Sequence, residues 1–182
     1  RAGEDPAARP PPSVSTGGDS SPYRRGLLMI NVQVVQATQA HIEQMIPNVR
    51  QADIAEFKAI NGWDARRVLE TGIRTSTFSV AGLVNDRVVT IFGVAPKSMI
   101  GGNGIPWLVA TDELEKYQFA FLRRCRNGVN AMLSVYPYLE NYVDERNHVA
   151  KAWLHWLGFT LEEPAPYGMQ CLPFHRFHME KK

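Results

Sequence analysis

The chain has 182 residues, of which 45% are hydrophobic and 21% charged, and its formal net charge at neutral pH is +2. That is length enough for one domain with a real core, a composition unlike that of a disordered protein, and a charge too small to argue for nucleic acid. Two cysteines, Cys125 and Cys171, make neither a disulfide framework nor a four-ligand zinc site, no apolar run approaches the ~18 residues of a membrane span, and no segment has the apolar core of a signal peptide. Both cysteines sit among apolar neighbours and read as buried thiols of a reducing compartment.

Five of the twelve prolines fall within residues 1–22, among serines and glycines, with Val14 the one large apolar residue. Such a segment buries too little surface to offset its ordering entropy. Residues 1–28 are therefore expected to be a disordered leader outside the fold, and residues 29–182 a single domain starting at Met29. Ile30 to Val35, β-branched at alternate positions, predicts a first strand. Thr38 caps a helical region in which Ile42, Met45 and Ile46, then Ile54, Phe57 and Ile60, recur at helical spacing on either side of Pro47, which breaks the run. Gly62 ends it, and Asp64 opens a short helix to Glu70. Thr75 to Val84 and Arg87 to Val94 predict a hairpin turned at Asn85-Asp86, followed by a glycine-rich loop from Ala95 to Gly104.

Ile105 to Ala110 predicts a short apolar strand. Asp112, with Glu115 three residues on, predicts a capping box at the start of the longest helix. Leu114, Gln118, Phe121, Leu122, Cys125, Val129 and Met132 trace its face, and Pro137 stops it. A strand from Tyr138 to Val143 runs into a helix over Asn147 to Phe159. Asn147 can accept a bond from a first-turn N–H, and Val149, Ala150, Trp153, Leu154 and Leu157 form an apolar stripe. Gly158 can take the left-handed conformation that ends a helix, with Phe159 folded beneath it. Thr160 to Glu163 and Met169 to His178 complete the pattern as strands. The alternation is that of an α/β protein.

The order of strand, Asn147, Ala150 and Gly158-Phe159 resembles the late motif of the GNAT acetyltransferase superfamily, and the resemblance runs over essentially all of residues 29–180. It implies a GNAT-like α/β fold: a mixed sheet split at its middle, flanked by the long helix and the late helix. In that family the strand before the long helix offers backbone groups to the pantetheine arm of acetyl-coenzyme A, and a glycine-containing turn holds the pyrophosphate. The resemblance thus marks Leu108, Val109, Ala110, Thr111 and Asn147 as the cofactor-binding positions if acetyl-CoA binds. Here the turn from Val109 to Tyr117 contains no glycine and places Asp112, Glu113 and Glu115 against one cation, Lys116. Like charges a few ångströms apart cost roughly 1 kcal/mol or more even when well solvated.

The tyrosine that family members commonly carry seven residues after the Asn, as general acid, is here Leu154, which cannot donate a proton. Tyr142 and His155 are the nearest substitutes. Tyr142 lies on a strand and His155 off the apolar stripe, so each reads first as a surface or rim residue. His175 and His178 point to opposite faces of a strand and make a poor metal pair. Gly101-Gly102-Asn103-Gly104 precedes a strand, not a helix, and reads as a turn.

Ile91-Phe92-Gly93-Val94, Gly101-Gly102-Asn103 and Pro106 to Asp112, with Asn141-Tyr142-Val143, Asn147-His148 and Gly158-Phe159, resemble a narrower family. These are the internal virion proteins of short-tailed, T7-like bacteriophages, which are GNAT-like but lack the phosphate loop. The resemblance implies a part in virion morphogenesis or infection, phage virion or host proteins as partners, the host cytoplasm and virion as location, and no cofactor. Trp153 or Trp156 and the basic residues Lys116, Arg123, Arg124 and Arg126 are then candidate contacts, although Trp153 reads equally as core and the arginines as a solvated helix face. The alternative is an active acetyl-CoA-dependent N-acetyltransferase with an atypical coenzyme site, because direct amine attack needs mainly proximity and orientation. Inhibition of a host factor by binding alone is a third possibility.

Overall fold

A computed structural model describes residues 31–181 apart from Met99, and leaves undescribed the side chains of residues 118–120, 122 and 123. The expected leader, Ile30 and the side chains of Gln118, Leu122 and Arg123 therefore lie outside the described residues.

The first half comprises β1 (Val32–Gln36), α1 (Gln39–Met45), a 3-10 turn (Ile46–Asn48), α2 (Gln51–Asn61), α3 (Ala65–Thr75) and the hairpin β2 (Phe78–Val84) and β3 (Arg87–Pro96). Then come β4 (Asn103–Ala110), α4 (Glu113–Lys116), α5 (Gln118–Val135), β5 (Tyr138–Asp144), α6 (His148–Leu157), β6 (Thr160–Leu161), β7 (Ala165–Tyr167) and β8 (Leu172–Glu180). The strands form one mixed sheet in the order β1-β2-β3-β4-β5-β8-β6, with β7 also paired to β8. Every pairing is antiparallel except β4 with β5, which run parallel and meet only at Asn103–Tyr138 and Gly104–Leu139.

Strand side chains alternate between faces, and each face has its own cover. On one, Ile42, Met45 and Leu69 from α1 and α3 pack on Ile91 and Val109. On the other, Val129 and Met132 of α5, with Phe159 after α6, pack on Val94, Leu139 and Phe177. Leu114 and Phe121 close the β4 end against Val84, Val89 and Ala110. Local chemistry agrees with these elements. Asn85 and Asp86 both adopt positive φ, 48° and 62°, as a two-residue hairpin turn of the primed type requires. Asp64 accepts a bond from the Arg67 amide at 2.8 Å and so caps α3.

The structure departs from the sequence reading in several places, among them β4, which starts at Asn103 inside the stretch expected as a glycine-rich loop because Asn103 and Gly104 pair with β5. The helix opened by Asp64 continues to Thr75 rather than Glu70, because Val68, Leu69 and Ile73 keep one face against the core. The capping box does not form. Asp112 is itself helical (φ −60°, ψ −23°) and its side chain caps nothing, whereas a capping residue needs extended backbone. The chain makes the short α4, breaks at Tyr117 (φ −114°), and starts α5 only at Gln118. Met169 is not strand: Gly168 (φ 72°) and Cys171 (φ 50°) form a turn between β7 and β8. Cys171 is consequently exposed rather than buried, while Cys125 is partly buried and burial pushes its thiol up to about 11.

Gly93 shows how tightly β2 and β3 lie together: a Cβ there would sit 2.6 Å from the Phe78 carbonyl oxygen, a backbone atom that cannot swing away. Gly93→Ala is expected to cost about 1–3 kcal/mol, the usual range for overpacking. Urea denaturation would show it as a lower midpoint at unchanged slope.

Candidate active site

A network of ion pairs pins β4 and β5 where they do meet. Glu140 is 5% exposed and bonds to Arg176 at 2.6 Å, to Asn103 at 3.2 Å and to the Lys97 ammonium. Burial opposes its ionisation, but these donors prevail and hold the carboxyl down at about 2. Beyond Gly104 and Leu139 no main-chain pairing links the two strands, and a cleft of about 490 Å³ opens between them. That volume lies within the range of small-molecule sites. Its walls include Trp107 and Leu108 of β4, Asn141 and Tyr142 of β5, and Trp153 and Leu154 of α6. The apolar stripe of α6 is only half-buried, because Ala150, Trp153, Leu154 and Leu157 pack against the core and also wall the cleft.

The cleft edge of β4 can be read from its hydrogen bonds. Thr111 donates its N–H to the Val89 carbonyl at 3.0 Å. By the alternation of antiparallel ladders, Val109 and Trp107 therefore also bond to β3, and Pro106, Leu108 and Ala110 turn their main-chain groups toward the cleft. Two of these three are already engaged. Ala110 donates its N–H to Asp53 Oδ2 at 2.9 Å, and its carbonyl accepts from the Arg50 N–H at 3.0 Å. The Pro106 carbonyl accepts from Asn141 Nδ2 at 2.9 Å. Asp53 and Arg50, each 4% exposed, are joined by a two-pronged ion pair of 2.7 and 3.3 Å. Among the described residues nothing reaches the cleft-facing groups of Leu108. Of the marked cofactor positions, then, Leu108 is open, Ala110 is engaged, and Val109 and Thr111 face β3.

Asn147 plays a double part. Its Oδ1 accepts from the Ala150 N–H at 3.2 Å, capping α6, and its Nδ2 donates to Glu56 Oε2 at 3.1 Å. Glu56, on α2, also lines the cleft. Burial pushes its carboxyl up to about 7, against the stabilising donations of Asn147 and the Asp144 backbone, with the charges of Asp53 and Asp144 adding to the rise. A carboxyl near neutrality in a cleft is the kind of group that transfers protons. Sequence reading passed it over. The available signal was Arg50, Asp53 and Glu56 at three-residue intervals, a polar row on one face of α2.

The other candidates separate. Tyr142 lines the cleft but is stacked on Tyr167, ring centroids 3.7 Å apart. His155 is exposed on α6 and does not line the cleft. Trp153 is a half-buried wall residue, while Trp156 is 42% exposed beneath the Arg126 guanidinium at 4.2 Å. Lys116 and Arg124 are exposed as well. In the turn after β4, Asp112 and Glu115 are exposed and Glu113 pairs with Arg87 at 3.0 Å. The amides of Leu114 and Tyr117 bond back to the carbonyls of Thr111 and Leu114. Among the described residues no group of three His, Cys, Asp or Glu is placed to hold a metal, and no helix is long and apolar enough to cross a membrane.

No protein-family model and no curated protein matches the chain. Solved structures do. The spermidine N-acetyltransferase of Vibrio cholerae, in complex with CoA and spermine, is similar with a TM-score of 0.62 at 9% identity, covering 82% of this chain and 95% of that one. A GCN5-related N-acetyltransferase of Kribbella flavida gives 0.62 at 14% identity over 82% of this chain and 97% of its own. Ard1 of Thermoplasma volcanium gives 0.59 at 16% identity over 83% and 98%. The chain has the GNAT fold.

Proposed function

We propose that this chain is a virion-associated protein of a T7-like phage that uses the GNAT fold as a binding scaffold and does not carry out ordinary acetyl transfer. The observation that supports it is the turn from Thr111 to Tyr117. A diphosphate is held by free amides and positive charge. This turn bonds the Leu114 and Tyr117 amides to its own carbonyls and presents Asp112 and Glu115 to solvent. These residues do not fit the diphosphate of acetyl-CoA. On this reading the protein acts in the host cytoplasm and virion, in morphogenesis or infection, and its partners are phage virion or host proteins. Trp156 and Arg126 offer an exposed face for such a contact. Mass spectrometry of purified virions is expected to find the protein. Its absence from particles, together with an unchanged burst size and particle composition on deletion, would end this reading. Calorimetry with acetyl-CoA is expected to give no binding heat at millimolar ligand.

One observation favours a second reading, an N-acetyltransferase with an atypical coenzyme site: Glu56, with its carboxyl near 7, lies in the same cleft as the open groups of Leu108. An ammonium group entering there would find a proton acceptor. Transfer of an acetyl group from acetyl-CoA to a polyamine or peptide, lost in Glu56→Gln, would establish it.

A further inference from the structure

We infer that the protein occupies the cleft edge of β4 with its own side chains, so that an extended arm of the pantetheine kind cannot lie along that strand. The inference deepens the reading above and takes from it only the identity of the excluded ligand; its grounds lie on the cleft edge of β4, away from the turn that follows the strand. An arm that adds to a strand edge must find donors and acceptors on successive outward residues, about 6.8 Å apart. Pro106 has no N–H to give, and its carbonyl is taken by Asn141. Ala110 has both groups taken, the N–H by Asp53 and the carbonyl by the backbone of Arg50. Only Leu108 is left, a single bridging point.

The two plugs differ in how firmly they sit. Asn141 is partly exposed, and its side chain can rotate away at the loss of two neutral hydrogen bonds, one given to the Pro106 carbonyl and one accepted from the Tyr142 N–H. Asp53 cannot leave. It balances the buried Arg50 guanidinium, and an arm that displaced it would strand one charge without the other. Because the Arg50 amide and the Asp53 carboxylate bind the same β4 residue, the start of α2 is stitched to the strand end as an added strand would be. The cleft that remains, with Leu108 on one wall and Glu56 at the side of α2, takes a compact ligand that needs one bridge to the main chain.

Pantetheine and coenzyme A separate this inference from the reading of the acidic turn, because pantetheine carries no diphosphate. The measurement is amide NMR of the full chain, following the Leu108 and Ala110 resonances. The expected result is that neither probe moves Ala110 at millimolar concentration, and that Arg50→Met with Asp53→Leu and Asn141→Ala binds pantetheine about tenfold more tightly than the parent chain. Saturable movement of Ala110 by pantetheine alone would overturn the inference and leave the acidic-turn reading standing. The same movement by coenzyme A would overturn both. A folded triple variant with no gain would show that the plugs are not what excludes the arm. Should that variant fail to fold, hydrogen exchange of the parent chain decides: Ala110 is expected to be protected like the β3-bonded amides of β4, and rapid exchange at Ala110 sinks the inference.

Discussion

Asp53→Ala is expected to destabilise the protein by about 3–5 kcal/mol, the usual cost of breaking a buried ion pair from one side. The carboxylate is 4% exposed and serves three donors: two nitrogens of Arg50 and the amide of Ala110. Alanine leaves a guanidinium that cannot lose its proton without a counter-charge, and an amide without an acceptor. Urea denaturation would read the loss directly. Replacing both partners by apolar residues, Arg50→Met with Asp53→Leu, is expected to cost far less, because no buried charge is then left over. Equal losses in the single and double variants would show that packing, not charge balance, gives this pair its importance.

Glu56 should give the protein an unusual pH dependence. Its carboxyl titrates at about 7 in the fold against an ordinary value of 4.5. Between those values the folded state binds the proton and the unfolded state does not, so stability falls as pH rises through the window. The contribution is fully present below pH 4.5 and lost once pH passes 7. The two limits differ by roughly 3 kcal/mol at most, taking 1.36 kcal/mol per unit. Glu56→Gln keeps an acceptor for Asn147 and removes the ionisation. It is therefore expected to match the parent chain in acid, to be the more stable of the two above neutrality, and to flatten the slope between. Glu140 does not blur the window: its carboxyl is held at about 2, so its contribution is lost only in acid below the ordinary carboxylate range. A parent chain whose stability stays level from pH 5 to 8, parallel to that of the variant, would refute the assignment.

What could be read from residues alone follows the range of the interactions involved. The Asn85-Asp86 turn, the Gly62 and Gly158 helix ends and the Asn147 cap depend on a few neighbouring residues and stand where they were expected. The capping box at Asp112 fails although its spacing is correct, because the isolated bridge of Val49 to Thr111 and the burial of Leu114 start the helical turn one residue too early for Asp112 to remain extended. Likewise, the turn at Gly168 to Cys171 depends on partners far away in the chain. The Met169 and Gln170 amides donate to Ile60 and Ala59 at the end of α2.

The candidate site divides in the same way. Its sequence by itself determined the GNAT order of elements, the glycine-free acidic turn and a side chain without a proton to donate at Leu154, since each is a matter of residue type at a given spacing. Only the tertiary structure decided which β4 groups remain free and which carboxyl titrates near neutrality. Asp53 lies 57 residues from Ala110, and Asn147 lies 91 residues from Glu56. Desolvation and hydrogen-bond capture act between groups that only the folded chain brings together, so the row of Arg50, Asp53 and Glu56 could mark a polar face but not which of its carboxyls titrates near neutrality.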